Sequence, residues 1–260
     1  MEKYMRIIES PSKDSDSIVL TEQFAVKTFK HQKKEYEIVL ASASHFGEKG
    51  YFLKIYEKLN SLDKVLYETA SKGPVDEKTK KTEEYQKLKD LIPLQEEFAK
   101  RVGLHLQKHV IDNKMGKNWE HCDLLLKEQI SMFQKYPDEF TGLMLWKENV
   151  EDAIEMLRSC PNKRDEYLEF SMRGVKNSFE LSLEEILERY PFVVKIRNQK
   201  IKARIKELLD EEKIKTLGVL YGALHMPDLE DYIQRLDFRK TNTEWYDVFS
   251  IKKSYWSALL

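Results

Sequence analysis

Lys215-Thr-Leu-Gly-Val-Leu-Tyr-Gly-Ala-Leu-His225-Met-Pro-Asp-Leu229 is the stretch that decides how this chain is read. Leu217, Val219, Leu220 and Tyr221 make a short apolar run ending at Gly222, which predicts a buried strand. Pro227 and the acidic residues of 228–231 then open an amphipathic helix. His225 therefore falls just past the carboxyl end of a strand. In open α/β sheets that edge binds ligands, because strand ends and the N-termini of the following helices face a common crevice.

The same unit occurs earlier. Glu37-Ile-Val-Leu-Ala-Ser42-Ala-Ser44-His45-Phe-Gly47 is again an apolar run, a small residue three before a histidine, and a short loop. A helical pattern follows through Tyr51, Phe52, Ile55 and Leu59, as the later helix runs through Leu229, Tyr232, Ile233 and Leu236. Between the two units, Asp63-Lys-Val-Leu-Tyr-Glu68 is a further strand-like run that ends in a carboxylate. Three strand ends thus offer His45, Glu68 and His225.

Gly222-Ala-Leu-His225 followed by Met226-Pro227, its counterpart Ser42-Ala-Ser-His45, the strand ending in Tyr67-Glu68, and Arg197-Asn198 before a helix together resemble the TraB/PrgY (pheromone-shutdown) family. Its relatives include the GumN proteins and the Tiki proteases, and its fold is similar to that of the ChaN and erythromycin-esterase proteins. The resemblance runs from about Glu35 to Phe249 and lies in the order of the motifs. It departs at Ser42, where the family usually has Gly, and at Asp228, where Gly commonly follows the Met-Pro. A serine at position 42 leaves less room for a ligand to approach the backbone.

The resemblance implies a single domain over 1–260, α/β in class, with a mixed central β-sheet flanked by helices and a large helical insertion at about 124–190. Composition is consistent with that size, since 260 residues bury a substantial core. Lys and Arg number 44 against 45 Asp and Glu, a net charge of -1 that gives no basic surplus for nucleic acid. Cys122 and Cys160 make neither a disulfide framework nor a C-x-x-C metal spacing, so a reducing, cytoplasmic location is expected. No run reaches the length of a transmembrane segment and no apolar signal segment follows the first residues.

Along the chain, Met1 to Ser15 read as a polar lead-in, and Ile18 to Thr21, Phe24 to Phe29 and Glu35 to Ser42 as strands joined through a polar turn at 30–34. A loop is expected at 71–74. Lys78 to Asp90 is almost wholly charged and reads as a solvated helix or loop, with a lid over the Glu68 strand end as the alternative. Leu94 to Val102 predicts a helix broken by Gly103. His105 and His109 would share a helix face, but the alternation around them argues for strand or turn, where they do not converge on a metal. Asp123 reads as the N-cap of a helix beginning at Leu124. Trp119-Glu-His121-Cys-Asp123 also resembles an element that follows the third strand in TraB-like proteins, which would put Asp123 or His121 in the crevice. Residues 124–190 read as helical, with their methionines and aromatics as packing. Phe192 to Asn198 lead into a helix over Lys200 to Glu212, Trp245 to Ile251 alternate as a strand, and the apolar tail after it packs rather than inserts in a membrane.

No H-E-x-x-H, P-loop, G-x-G-x-x-G or G-x-S-x-G sequence is present. What remains is two imidazoles and one carboxylate at converging strand ends. Such a set can hold a divalent metal, manganese, cobalt or zinc, and acidify a bound water. Alternatively, a histidine activates water while Glu68 orients it. By resemblance to the Tiki branch the expected function is metal-dependent hydrolysis of a peptide bond, with His45, Glu68 and His225 at the metal and with Glu68, Arg197 and Asn198 catalytic. Ser42, His121, Asp123 and Gly222 are expected to line the crevice. Metal-independent ester or lactone hydrolysis, and non-catalytic binding of a pheromone-like peptide, are the alternatives. The expected partner is a peptide or small molecule, and a homo-oligomer is compatible with the sequence.

Overall fold

The computed structural model describes residues 4–13, 17–69, 73–111, 114–178 and 180–254. The decisive stretch is a strand, β8 (Thr216–Gly222), as its apolar run requires. It lies between β3 (Glu37–Ala43) and β5 (Lys64–Tyr67), parallel to both, and β5 pairs in parallel with β7 (Trp119–His121). β3, β5 and β8 are nearly continuous apolar runs because helices cover parallel sheets on both faces. The chain passes from β3 through α1 (Lys49–Asn60) to β5 and leaves the gap that β8 later fills. At Gly218 of β8 a Cβ would stand 2.9 Å from Leu59 Cδ2 and 3.0 Å from Leu62 Cδ1, so the glycine admits the end of α1 against the sheet.

The other half of the sheet is antiparallel. The long β2 (Ser17–His31) pairs along its whole length with β9 (Phe238–Ser254), with register shifts at Glu22/Gln23 and Thr28/Phe29. On its other edge, Val26 to Lys30 pair with β3, and Ile18 to Phe24 pair with β1 (Met5–Pro11). The polar lead-in expected at the start is thus corrected over 5–11: it is a strand whose Met5 is buried and whose Arg6 bonds Gln23 of β2. β1 takes the place of β3 where β3 leaves the sheet. There the buried Ser42 hydroxyl donates to the Ala25 carbonyl and lies 3.4 Å from that of Tyr4.

The α/β class with a mixed central sheet flanked by helices is therefore the observed one. A short antiparallel pair, β4 (Phe46–Gly47) with β6 (His105–Leu106), ties the His45 loop to the chain beyond Gly103. The charged segment after Glu68 forms α2 (Glu77–Lys80) and α3 (Glu83–Leu88), followed by α4 (Leu91–Arg101) and a single turn, α5 (Gln107–Val110). The helical insertion is observed as α6 (Leu126–Lys135), α7 (Pro137–Ser159), α8 (Arg164–Ser178) and α9 (Leu183–Arg189). A wide helical turn at Pro191–Ile196 leads into α10 (Arg197–Asp210), and α11 (Met226–Arg235) follows β8 through a short turn at Ala223–His225. α10 and α11 pack on each other, and α11 packs on β3 and β9. Among the described residues no helix is long and apolar enough to cross a membrane. The expected loop residues 71–72 and the tail 255–260 lie outside the described residues.

Candidate functional site

Register brings the strand ends together. Ala43 of β3 faces Gly222 of β8, Tyr67 of β5 faces Leu220 of β8, and Tyr67 also faces His121 of β7. His45, Glu68, Asp123 and His225 all lie within a few residues of these ends, on parallel neighbours. Arg197 and Asn198 arrive from the first turn of α10.

Glu68 is buried at the centre. One carboxylate oxygen accepts the Gly222 backbone N–H, and the other accepts Arg197 Nη2 at 2.8 Å. Gly222 is needed here, since a Cβ at that position would sit 3.0 Å from Glu68 Oε1. Arg197 is forked onto Asp123, with Nε 2.8 Å from Oδ1 and Nη2 2.6 Å from Oδ2. Paired N–H donors on one carboxylate fix the plane of the guanidinium. Its Nη1 group has no hydrogen-bond partner among the described residues, and the Arg197 side chain is 12% exposed. Burial opposes the charge on Arg197, but Glu68 and Asp123 outweigh it and hold the guanidinium charged.

His225 is 3% exposed and oriented by Asn198. The Asn198 amide nitrogen donates to the His225 carbonyl at 3.1 Å and to Asp228 Oδ2 at 2.8 Å, so its oxygen is the atom 2.7 Å from His225 Nδ1. Nδ1 must therefore carry the ring proton, and Nε2 holds a lone pair. That lone pair lies 3.5 Å from Glu68 Oε2. Burial, then the positive charge of Arg197 and the neighbouring His45, push the His225 pKa well below its ordinary 6.5. The imidazole is neutral, and the contact with Glu68 is not an ion pair. Burial likewise raises the Glu68 pKa, which Arg197 opposes and Asp123 reinforces. Two proton-accepting atoms thus face each other beside a fixed cation.

His45 stands apart from this core. It is exposed to solvent, and desolvation, then the charge of Arg197, lower its pKa. His45 is the smallest of the influences that lower the His225 pKa, and no hydrogen bond or ring contact joins the two histidines among the described residues. Tyr51 of α1 holds the loop: its hydroxyl donates to the Ser42 carbonyl at 3.1 Å.

Several expected residues take other roles. Ser42 bonds the backbone of β2 and does not face the Glu68 core. His121 is half-buried, within 3.2 Å of the Thr69 carbonyl and edge-on to Tyr67. Asp123 does not cap a helix at Leu124. It is fully buried under Arg197, while α6 starts at Leu126 and closes its first turn through Glu128 onto the Leu125 N–H. His109 pairs with Glu96 at the surface, 3.0 Å away. Cys122 is buried, and desolvation pushes its thiol up to about 12, which keeps it inert as a nucleophile.

Sequence reasoning missed Asp228 as a member of the site. It accepts from Asn198 and, at 2.6 Å, from Lys202 Nζ, and so anchors the amide that orients His225. Missed also were Lys200, whose Nζ donates to the Asp123 carbonyl at 2.6 Å, and Tyr221, whose hydroxyl donates to the carbonyl of Cys122.

The donor set fits a divalent ion only in part. His225 Nε2 is held by a partner on its other nitrogen, as metal-bound imidazoles are. Both Glu68 oxygens, however, already accept hydrogen bonds, and a guanidinium stands against the one that faces His225. Among the described residues no three or more His, Cys, Asp or Glu side chains are arranged to hold a metal. Compared with protein-family models, curated proteins and solved structures, the chain gives no match.

Proposed function

We propose that the protein is a hydrolase acting on a carbonyl substrate, an ester, lactone or amide, with His225 as general base. The observation that carries the reading is the buried, neutral His225, locked by Asn198 as its Nδ1–H tautomer with Nε2 turned to Glu68. Nε2 takes a proton from water as the water oxygen adds to the carbonyl carbon. The resulting imidazolium gains the Glu68 carboxylate as neighbour, while Arg197 Nη1 is the donor for the oxyanion. Collapse breaks the bond to the leaving oxygen or nitrogen, which recovers the proton from Nε2. The ordered motifs support a place beside the TraB/PrgY-like proteins, and the cysteines, one buried and one half-buried and both free, accord with a cytoplasmic setting.

The metal-dependent peptidase is a second reading, favoured by the outer hydrogen bond on His225 Nδ1. His45, Glu68 and His225 would be the ligands, and the ion would supply an acidified water. Turnover screened over p-nitrophenyl esters, lactones and a mixed peptide library, with and without chelator, tests both. Activity that survives chelation and falls about a hundredfold or more in His225→Asn is expected. Loss with chelator and return with manganese, cobalt or zinc would establish the metal reading. Peptide binding without turnover would make the chain a binding protein.

A further inference from the structure

Arg197 and Asn198 enter the site at the end of an uncommon turn. Over Pro191–Ile196 the Val194 and Lys195 N–H groups both bond the Tyr190 carbonyl, at 3.1 and 3.2 Å, so the second closes a ring one residue wider than that of an α-helix. Wide turns of this kind are rare, short and frequent at functional sites. The first N–H groups of any helical segment have no partner inside it. Pro191 has none to offer, and those of Phe192 and Val193 are both taken by Glu139, whose two carboxylate oxygens accept them at 2.7 and 2.8 Å.

Glu139 comes from the first turn of α7, 53 residues before Phe192. The corner between α6 and α7 closes on the same turn with its aromatic side chains. Phe192, 1% exposed, meets the Phe133 ring edge-on at 4.9 Å and stacks with that of Tyr136 at 6.2 Å, and Phe133 packs on Phe140. A carboxylate spanning two adjacent backbone N–H groups makes charge-assisted bonds of fixed direction, so it sets the rotation of the turn that the aromatic rings hold in place. Arg197 follows the turn directly and Asn198 is next. That rotation therefore aims the guanidinium at Asp123 and Glu68 and the amide at His225 and Asp228.

We propose that Glu139 is a positioning residue of the site, a clasp by which the helical insertion keeps Arg197 and Asn198 aligned with Glu68 and His225. It acts through the backbone of the turn. Its effect on turnover rests on the hydrolase reading, and its effect on the two side chains does not. In ¹⁵N-labelled protein the Arg197 Nε–H and Asn198 amide signals, identified by their loss in Arg197→Lys and Asn198→Ala, are expected to shift or broaden in Glu139→Ala. Asp138→Ala removes the exposed carboxylate beside Glu139, and with it a similar share of charge at the start of α7, and should leave both signals in place. Because misplacing a catalytic group by about 1 Å can cost about a hundredfold, kcat of Glu139→Ala should fall by about tenfold or more with KM nearly unchanged, while Asp138→Ala keeps the parent values. Glu139→Gln keeps an acceptor for one of the two N–H groups, so it should fall between them, and it serves in place of an alanine variant that does not fold. Shifted signals in a protein that turns over no substrate would keep the clasp and overturn the hydrolase reading. Signals in folded Glu139→Ala and Glu139→Gln that coincide with the parent's, or that move as far in Asp138→Ala, would overturn the clasp, as would an active Glu139→Ala with the parent's kcat.

Discussion

Glu68 Oε2 stands 3.5 Å from His225 Nε2, and Asn198, on the far side of the ring, fixes the ring proton at Nδ1 and leaves Nε2 without one. In the hydrolase proposed above this pair would accept the proton, and Arg197 is fixed beside it by Asp123.

Arg197→Ala should be costly twice over. It leaves Asp123 and Glu68 buried without a counter-charge, and breaking such a pair typically destabilises by about 3–5 kcal/mol. Activity should fall by about a hundredfold or more through loss of the oxyanion donor. Arg197→Lys restores charge without the fork and recovers only part of either effect. Urea unfolding with turnover checks this; a variant with stability and kinetics close to the parent would remove Arg197 from the site.

Asn198→Ala should free His225 to change tautomer. It also deprives Asp228 and the His225 carbonyl of a donor, a loss on the order of 1–3 kcal/mol. Nitrogen chemical shifts of labelled histidine report the tautomer, and an Nε2–H ring in the parent protein would contradict the assignment. Because the folded pKa of His225 lies well below 6.5, kcat/KM should rise with pH only on the acid side and be flat through neutrality. The same depression stabilises the fold above the unfolded-state pKa, and that contribution is lost as pH falls through the folded value.

Glu22 supplies a pH test outside the site. It is 4% exposed on β2, and burial raises its pKa from 4.5 to about 8. A raised carboxyl favours the fold below the unfolded pKa and forfeits that contribution as pH rises through the folded one. Glu22→Gln should therefore gain stability relative to the parent at pH 9, by up to a few kcal/mol, and little at pH 5. Denaturant midpoints at the two pH values measure it, and an equal effect at both would show that Glu22 does not titrate in this range.

The sequence by itself determined the alternation of strands and helices around β3, β5 and β8 and the three strand ends that carry His45, Glu68 and His225. Those features are local, written in apolar runs and helical spacing. β1 was not legible because an edge strand of mixed polarity reads as a lead-in. Asp123 looked like a cap because a short acidic residue before apolar residues has that pattern whether it bonds its own helix or a distant cation. Only the tertiary structure decided that β8 enters between β3 and β5. That order brings Arg197 to Asp123 and Glu68 across 74 and 129 residues of chain, and Asn198 to His225 across 27. Which atom of a histidine carries its proton, and whether a carboxylate meets a guanidinium or a metal, depends on partners that no spacing along the chain can specify.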